Sequence, residues 1–195
     1  MNGFIDDSLA FDYVRERGYV SYSSMKMIRD GEVPGAFKGS AATDFGKELH
    51  SRLLENKVLQ KFSTVIELQL SDMLVALRYN VVVQQLLKNA KKEQEFKTMV
   101  NGIMMLGYYD ILNTTNVSDL KTTSTGNMKA FVSSMDFLQA AIYLKASGCK
   151  DFYYIGACKV SPYPVWVFNV WEYPQRMAKA QSELARLCMY IKSKP

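Results

Sequence analysis

Ile103-Met-Met-Leu-Gly-Tyr-Tyr-Asp-Ile-Leu112, Asn113-Thr-Thr-Asn116 and Val117-Ser-Asp-Leu-Lys121 together decide the architecture. The first and last runs are rich in β-formers, and the polar stretch between them is a turn. Upstream, Glu95 to Val100 meets Ile103 across Asn101-Gly102, a dipeptide that favours a tight hairpin between apolar runs. The spacing predicts three antiparallel strands in succession. Downstream, Lys129 to Ser147 reads as a helix with Phe131, Met135, Leu138, Ile142 and Ala146 inward and Gly148 as its stop. Phe152 to Val160 and Val165 to Trp171 read as two further strands, and Pro174 opens an amphipathic helix to about Lys192.

Before the strands the pattern is helical. Ser21-Tyr-Ser-Ser24 caps a short helix that Gly31 and Pro34 end, and Gly31 to Ala42 reads as a loop. Thr43-Asp44 opens a second helix running to about Asn56, and Ser71-Asp72 a third over Ser71 to Ala90. The order predicts an α/β (α+β) fold in one domain over 1–195. Residues 1–92 would be mainly helical, and 93–195 would carry the sheet with its helices.

Composition narrows the class. A chain of 195 residues can bury a core without disulfides or a structural metal. Hydrophobic residues at 48% exclude wholesale disorder, and no apolar run reaches membrane-spanning length. Met1 to Tyr13 carries Asp6, Asp7 and Asp12 without a basic stretch, unlike a secretory signal. Cys149, Cys158 and Cys188 are widely spaced and form no CxxC pair, so reduced thiols in a cytoplasmic protein are expected. The balance of 24 Lys+Arg against 19 Asp+Glu, a net +5, leans toward a polyanionic partner.

Asp119 and Lys121 are two apart on a strand, so their side chains share a face, with Asp110 on the preceding strand. A carboxylate pair in a central stretch must be offset by a cation or a metal, though a solvated sheet edge would carry the same residues. Gln139 and Tyr143 share a helix face, as do Gly46 and His50, the chain's sole histidine. Each of these also reads as an ordinary helix-surface or core residue.

Taken in order, Gly46-Lys-Glu-Leu-His50, Gly107-Tyr-Tyr-Asp110, Asp119-Leu-Lys121 and Gln139-Ala-Ala-Ile-Tyr143 resemble the PD-(D/E)XK nuclease superfamily, in its RecB/RecE-like branch. The likeness extends to the RecE-type, exonuclease VIII-like enzymes of phages and prophages. Tyr19-Val-Ser-Tyr-Ser-Ser24, Asp119-Leu-Lys-Thr-Thr123 and Lys159-Val-Ser-Pro-Tyr-Pro-Val165 add to it, over roughly residues 19–190. Tyr109 stands where the family name has Pro. The relatives that bind an iron–sulfur cluster carry four cysteines, and this chain has three. No GxxxxGK[ST] occurs, so no helicase motor is expected.

The resemblance implies a restriction-endonuclease-like core, a central mixed sheet flanked by helices. It implies Mg²⁺, with Mn²⁺ accepted, held by His50, Asp110, Asp119 and the Leu120 carbonyl, with Glu95 or else Glu93 as a further acidic ligand. Lys121 would orient or help deprotonate water and offset charge on the phosphate, while Gln139 and Tyr143 would position substrate. The implied activity is exonucleolytic, on the ends of linear double-stranded DNA, 5′ to 3′, in phage-type recombination. A homo-oligomeric ring and a single-strand annealing partner go with it, in a bacterial or phage-infected cell. The alternatives are a structure- or sequence-specific endonuclease on the same core and an inactive DNA-binding module.

Overall fold

The computed structural model describes residues 16–32, 34 and 40–193. The readings of Met1 to Tyr13 and of half of the Gly31 to Ala42 loop lie outside the described residues. Helix α1 (Tyr22–Asp30) starts where Ser21 accepts the Ser24 amide and ends at Gly31 in the left-handed region. Helix α2 (Ala41–His50) is capped by Ser40 and passes into one turn of π-helix, Ser51–Glu55, ended by Asn56 at φ 60°. The helix expected over Ser71 to Ala90 starts earlier and is two helices, α3 (Thr64–Tyr79) and α4 (Val81–Leu87). Asn80 breaks it by turning extended and capping the Val83 amide.

Five strands come next: β1 (Lys91–Val100), β2 (Ile103–Leu112), β3 (Asn116–Thr123), β4 (Asp151–Cys158) and β5 (Val165–Asn169). They form one mixed sheet in chain order, antiparallel except where β3 pairs with β4 in parallel. A parallel step needs a crossover, here α5 (Met128–Ser134) and α6 (Phe137–Ser147). One continuous helix was expected there. Asp136 ends that expectation by capping α6 through the Leu138 amide. The last expected strand stops at Asn169, whose side chain forms a reciprocal cap with Glu172 in a 3₁₀ turn before α7 (Pro174–Lys192).

The sheet separates two cores. Helices α1, α6 and α7 pack on one face around Phe131, Phe152, Tyr154 and Phe168. Helices α2, α3 and α4 cover the other around Leu49, Leu70, Leu77, Ile111 and Ile155. The result is a helix-flanked mixed sheet of the α+β class, as the sequence predicts. Among the described residues no helix is long and apolar enough to cross a membrane.

The β1–β2 hairpin departs from regular geometry at two places. At the first, Gly107 lets the Phe96 ring lie directly on the backbone; a Cβ there would sit 2.7 Å from that ring. Phe96 cannot retreat easily, because it stacks on Tyr109 at 4.5 Å and meets Tyr143 edge-on. Gly107→Ala is therefore expected to cost about 1–3 kcal/mol of stability in urea unfolding; an unchanged midpoint would refute this account of the glycine. At the second, Tyr109 faces one core and Ile111 the other although they are two apart, so strand alternation reverses at Asp110. Opposite it Glu93 has φ +49°, between the Lys92–Ile111 and Gln94–Tyr109 pairs.

Candidate metal centre and active site

The reversal at Asp110 coincides with a fork in the sheet. Strands β2 and β3 pair only at Ile111–Ser118 and Leu112–Val117. Beyond that point the Asp110 carboxylate fills the gap, accepting the Leu120 amide at 2.7 Å in place of a strand carbonyl. Backbone donors left unpaired in a sheet are costly, so the side chain both completes the ladder and is held by it. Glu93, turned by its left-handed backbone, comes to the same place from β1.

His50, the last residue of α2, meets this pair. Its Nε2 donates to the Leu120 carbonyl at 2.6 Å, and its Nδ1 lies 3.5 Å from Asp110 and 3.9 Å from Glu93. Donor atoms of His50, Glu93 and Asp110 all fall within 4.8 Å of one another. Burial works against a charged imidazole, but the Asp110 charge, the Glu93 contact and the Asp119 charge push His50 up to about 9. Burial and then the Asp119 charge push the Asp110 carboxyl up to about 7, against the opposing pull of His50 and Lys121. Crowded carboxylates that resist ionisation are what a bound cation relieves.

Asp119 adjoins this group from β3, with its side chain almost wholly buried. Its Oδ1 accepts from Gln139 Nε2 at 2.6 Å. Lys121 Nζ sits 2.7 Å from Oδ2, a charged partner for that buried oxygen. Burial would depress the Lys121 ammonium, yet the Asp119 and Asp110 charges raise it above its ordinary value. Gln139 sits in the first turn of α6, where its amide donates to the Asp136 carbonyl at 3.2 Å; the Asp136 carboxylate that caps the helix is bound by Tyr22 and Arg29 of α1 at 3.0 and 2.9 Å.

An open groove of about 470 Å³ leads to the cluster, lined among others by Gly46, Lys47, His50, Glu93, Lys121 and Thr122. Thr43, Gly46, Lys47 and His50 share one face of α2 toward it. A Cβ on Gly46 would meet Thr122 at an ordinary 3.5 Å, so this glycine keeps the groove open rather than permitting a forced approach.

The structure thus gathers His50, Asp110, Asp119, Lys121 and the Leu120 carbonyl. Of the two glutamates it brings Glu93 to the cluster. Glu95 instead accepts the Tyr108 hydroxyl on the exposed side of the sheet, because the left-handed turn at Glu93 separates the two side chains. Gln139 and Tyr143 are buried behind Asp119 rather than in the groove. The Tyr143 ring packs edge-on against Tyr109 and Phe96 at 5.4 Å, and burial, then the Asp119 charge, raises its hydroxyl. Lys47 and Thr122 stand inside two of the quoted motifs with no role assigned to them there; helical spacing from His50 and position next to Lys121 are the signals that point to them. The three cysteines are free.

The donor set fits a small divalent cation: the Glu93 and Asp110 carboxylates and the His50 imidazole converge, with the Leu120 carbonyl beside them.

No protein-family model matches the chain, and no curated protein sequence matches it. Among solved structures, a candidate exonuclease from Eubacterium rectale aligns with 100% of this chain and 88% of its own length, at a TM-score of 0.65 and 12% identity. The two share a fold. An alkaline exonuclease from Laribacter hongkongensis, LHK-Exo, aligns over 94% of this chain and 96% of its own at 0.40 and 11% identity. The same enzyme in complex with dAMP aligns over 95% and 92% at 0.44 and 11%.

Proposed function

We propose that this chain is a divalent-metal-dependent deoxyribonuclease of the PD-(D/E)XK type, degrading linear double-stranded DNA from its ends. The observation that carries the proposal is the meeting of His50, Glu93 and Asp110 beside the Asp119–Lys121 pair at the end of a groove. The shared fold with a candidate exonuclease supports the same reading.

Glu93, Asp110, Asp119, His50 and the Leu120 carbonyl would hold Mg²⁺ or Mn²⁺. Such a cation, when bound, polarises a phosphodiester and supplies hydroxide near neutral pH. Lys121, kept cationic by Asp119, donates to a phosphate oxygen and offsets charge as it develops there. Gln139 fixes the Asp119 carboxylate, a positioning role, and Tyr143 braces that helix from the core. Lys47 lies along the groove where a DNA backbone would run. From the motif resemblance come the finer parts of the proposal: 5′ to 3′ polarity, a place in phage-type recombination with a single-strand annealing protein, and one nuclease domain over 1–195. Free cysteines suit a reducing cytoplasm.

One plasmid supplied in linear and covalently closed forms, with Mg²⁺ and with EDTA, tests it. Loss of the linear form alone, and only with metal, is the expected result. Nicking of the closed form would replace exonuclease by endonuclease, and survival of both forms would sink the nuclease proposal.

A further inference from the structure

Strands β2 and β3 carry Asp110 and Asp119, and past the Ile111–Ser118 pair their ladder stops. Val20 lies along the β2 edge that β3 has left. Its amide donates to the Met104 carbonyl at 2.9 Å, and its carbonyl accepts the Leu106 amide at 3.0 Å. Helix α1 follows at once, and its Tyr22 hydroxyl donates to Asp136 Oδ2 at 3.0 Å. Arg29, near the other end of α1, donates to Asp136 Oδ1 at 2.9 Å. The same oxygen accepts the Leu138 amide and so fixes the first turn of α6. From that turn Gln139 reaches Asp119 on β3, and the Leu120 amide returns to Asp110 on β2. The circuit around the fork is closed.

We infer that Tyr22 and Asp136 are positioning residues of the metal centre, a strut across the fork that sets where Asp119 stands relative to Asp110. The inference rests on the proposed function, in which both carboxylates hold the cation. Mg²⁺ demands near-ideal ligand geometry, and groups that orient its ligands strongly affect affinity. Packing of Tyr143 on Tyr109 joins the same two halves, and the polar circuit adds direction to it. Tyr154 also donates to the Asp136 carbonyl at 2.7 Å, and Arg176 to the Met135 carbonyl at 2.8 Å. These keep the start of α6 attached to β4 and α7 when the links from α1 are cut, so the variants fold.

Mn²⁺ binding to the full chain without DNA, followed by titration calorimetry, reads the centre apart from cleavage. Asp136→Asn keeps a cap oxygen for the Leu138 amide but turns an amide toward Tyr22 and Arg29. The Asp136 charge also reaches Lys121, so this variant alters the field there as well as the position. Tyr22→Phe leaves every charge in place and is expected to weaken binding in the same direction by a smaller factor. The two together are expected to weaken it at least about tenfold. Ile191→Ala, at the end of α7 beside the Asn101-Gly102 turn, lowers stability without touching the circuit and should bind Mn²⁺ as the parent does. A double variant within about twofold of the parent overturns the inference and leaves the metal centre standing. Equal weakening by Ile191→Ala does the same. A parent chain that binds no Mn²⁺ overturns the metal centre itself, and the inference with it.

Discussion

On the proposed nuclease function, Asp119→Asn is expected to give a folded protein whose cleavage of linear DNA falls by at least about a thousandfold. Asparagine keeps an oxygen for Gln139 Nε2, which donates to Asp119 at 2.6 Å, so the α6 contact survives. What disappears is the negative charge beside Lys121 and Asp110, and with it one oxygen suited to a hard cation. Stability moves little. The Lys121 side chain is 37% exposed and can turn to water, and Asp110 is relieved of a neighbour that raises its carboxyl. Metal-dependent turnover and melting temperature, measured together, check the prediction. Retained cleavage would show that Asp119 is dispensable to the chemistry, whereas a collapse of the melting temperature would show that its role is structural.

Arg52→Leu is expected to cost about 3 kcal/mol or more in urea unfolding. Glu48, with no exposed surface, accepts from Arg52 Nε at 2.6 Å and from the amides of Leu59 and Gln60 at 3.1 and 3.0 Å. Removing the guanidinium leaves a buried carboxylate facing only backbone donors. Glu48→Gln in the same chain should recover part of the loss by removing that charge; a single-variant cost below about 1 kcal/mol would refute the argument. Arg52 also binds Glu67, and that hydrogen bond, with the Phe62 amide, lowers the Glu67 carboxyl to about 2. A lowered carboxyl contributes stability above its ordinary value near 4.5 and loses it as pH falls toward 2. That acid-sensitive part is expected to shrink in Arg52→Leu. The effect reaches the site, since Glu48 lies two residues before His50.

Period and turn chemistry made much of this fold legible. Asn101-Gly102 marks its hairpin because both residues take positive φ there, and Pro174 marks the start of α7 because its fixed φ suits a first helical turn. Asp119 and Lys121 share a face for the simple reason that strands repeat every two residues. Asn80 and Asp136 interrupt their helices unseen, because apolar spacing continues across both breaks and a single capping side chain decides. The order of Glu93 and Glu95 was equally hidden. It depends on one left-handed residue and on a reversal of alternation at Asp110, neither of which leaves a mark in hydrophobic pattern.

The fork between β2 and β3 also bears on when the centre comes into being. The β1–β2 hairpin joins neighbours in sequence, and contacts of that kind close in microseconds. The centre is assembled from afar: His50 reaches Leu120 across 70 positions, and Gln139 reaches Asp119 across 20. By sequence separation these contacts, like the β3–β4 pairing of Asn116 with Asp151, are expected to form after the hairpin. On the proposed function, a growing chain that has made its acidic strands but not yet brought up His50 and Gln139 would lack the complete centre, so cleavage would wait on the last long-range contacts.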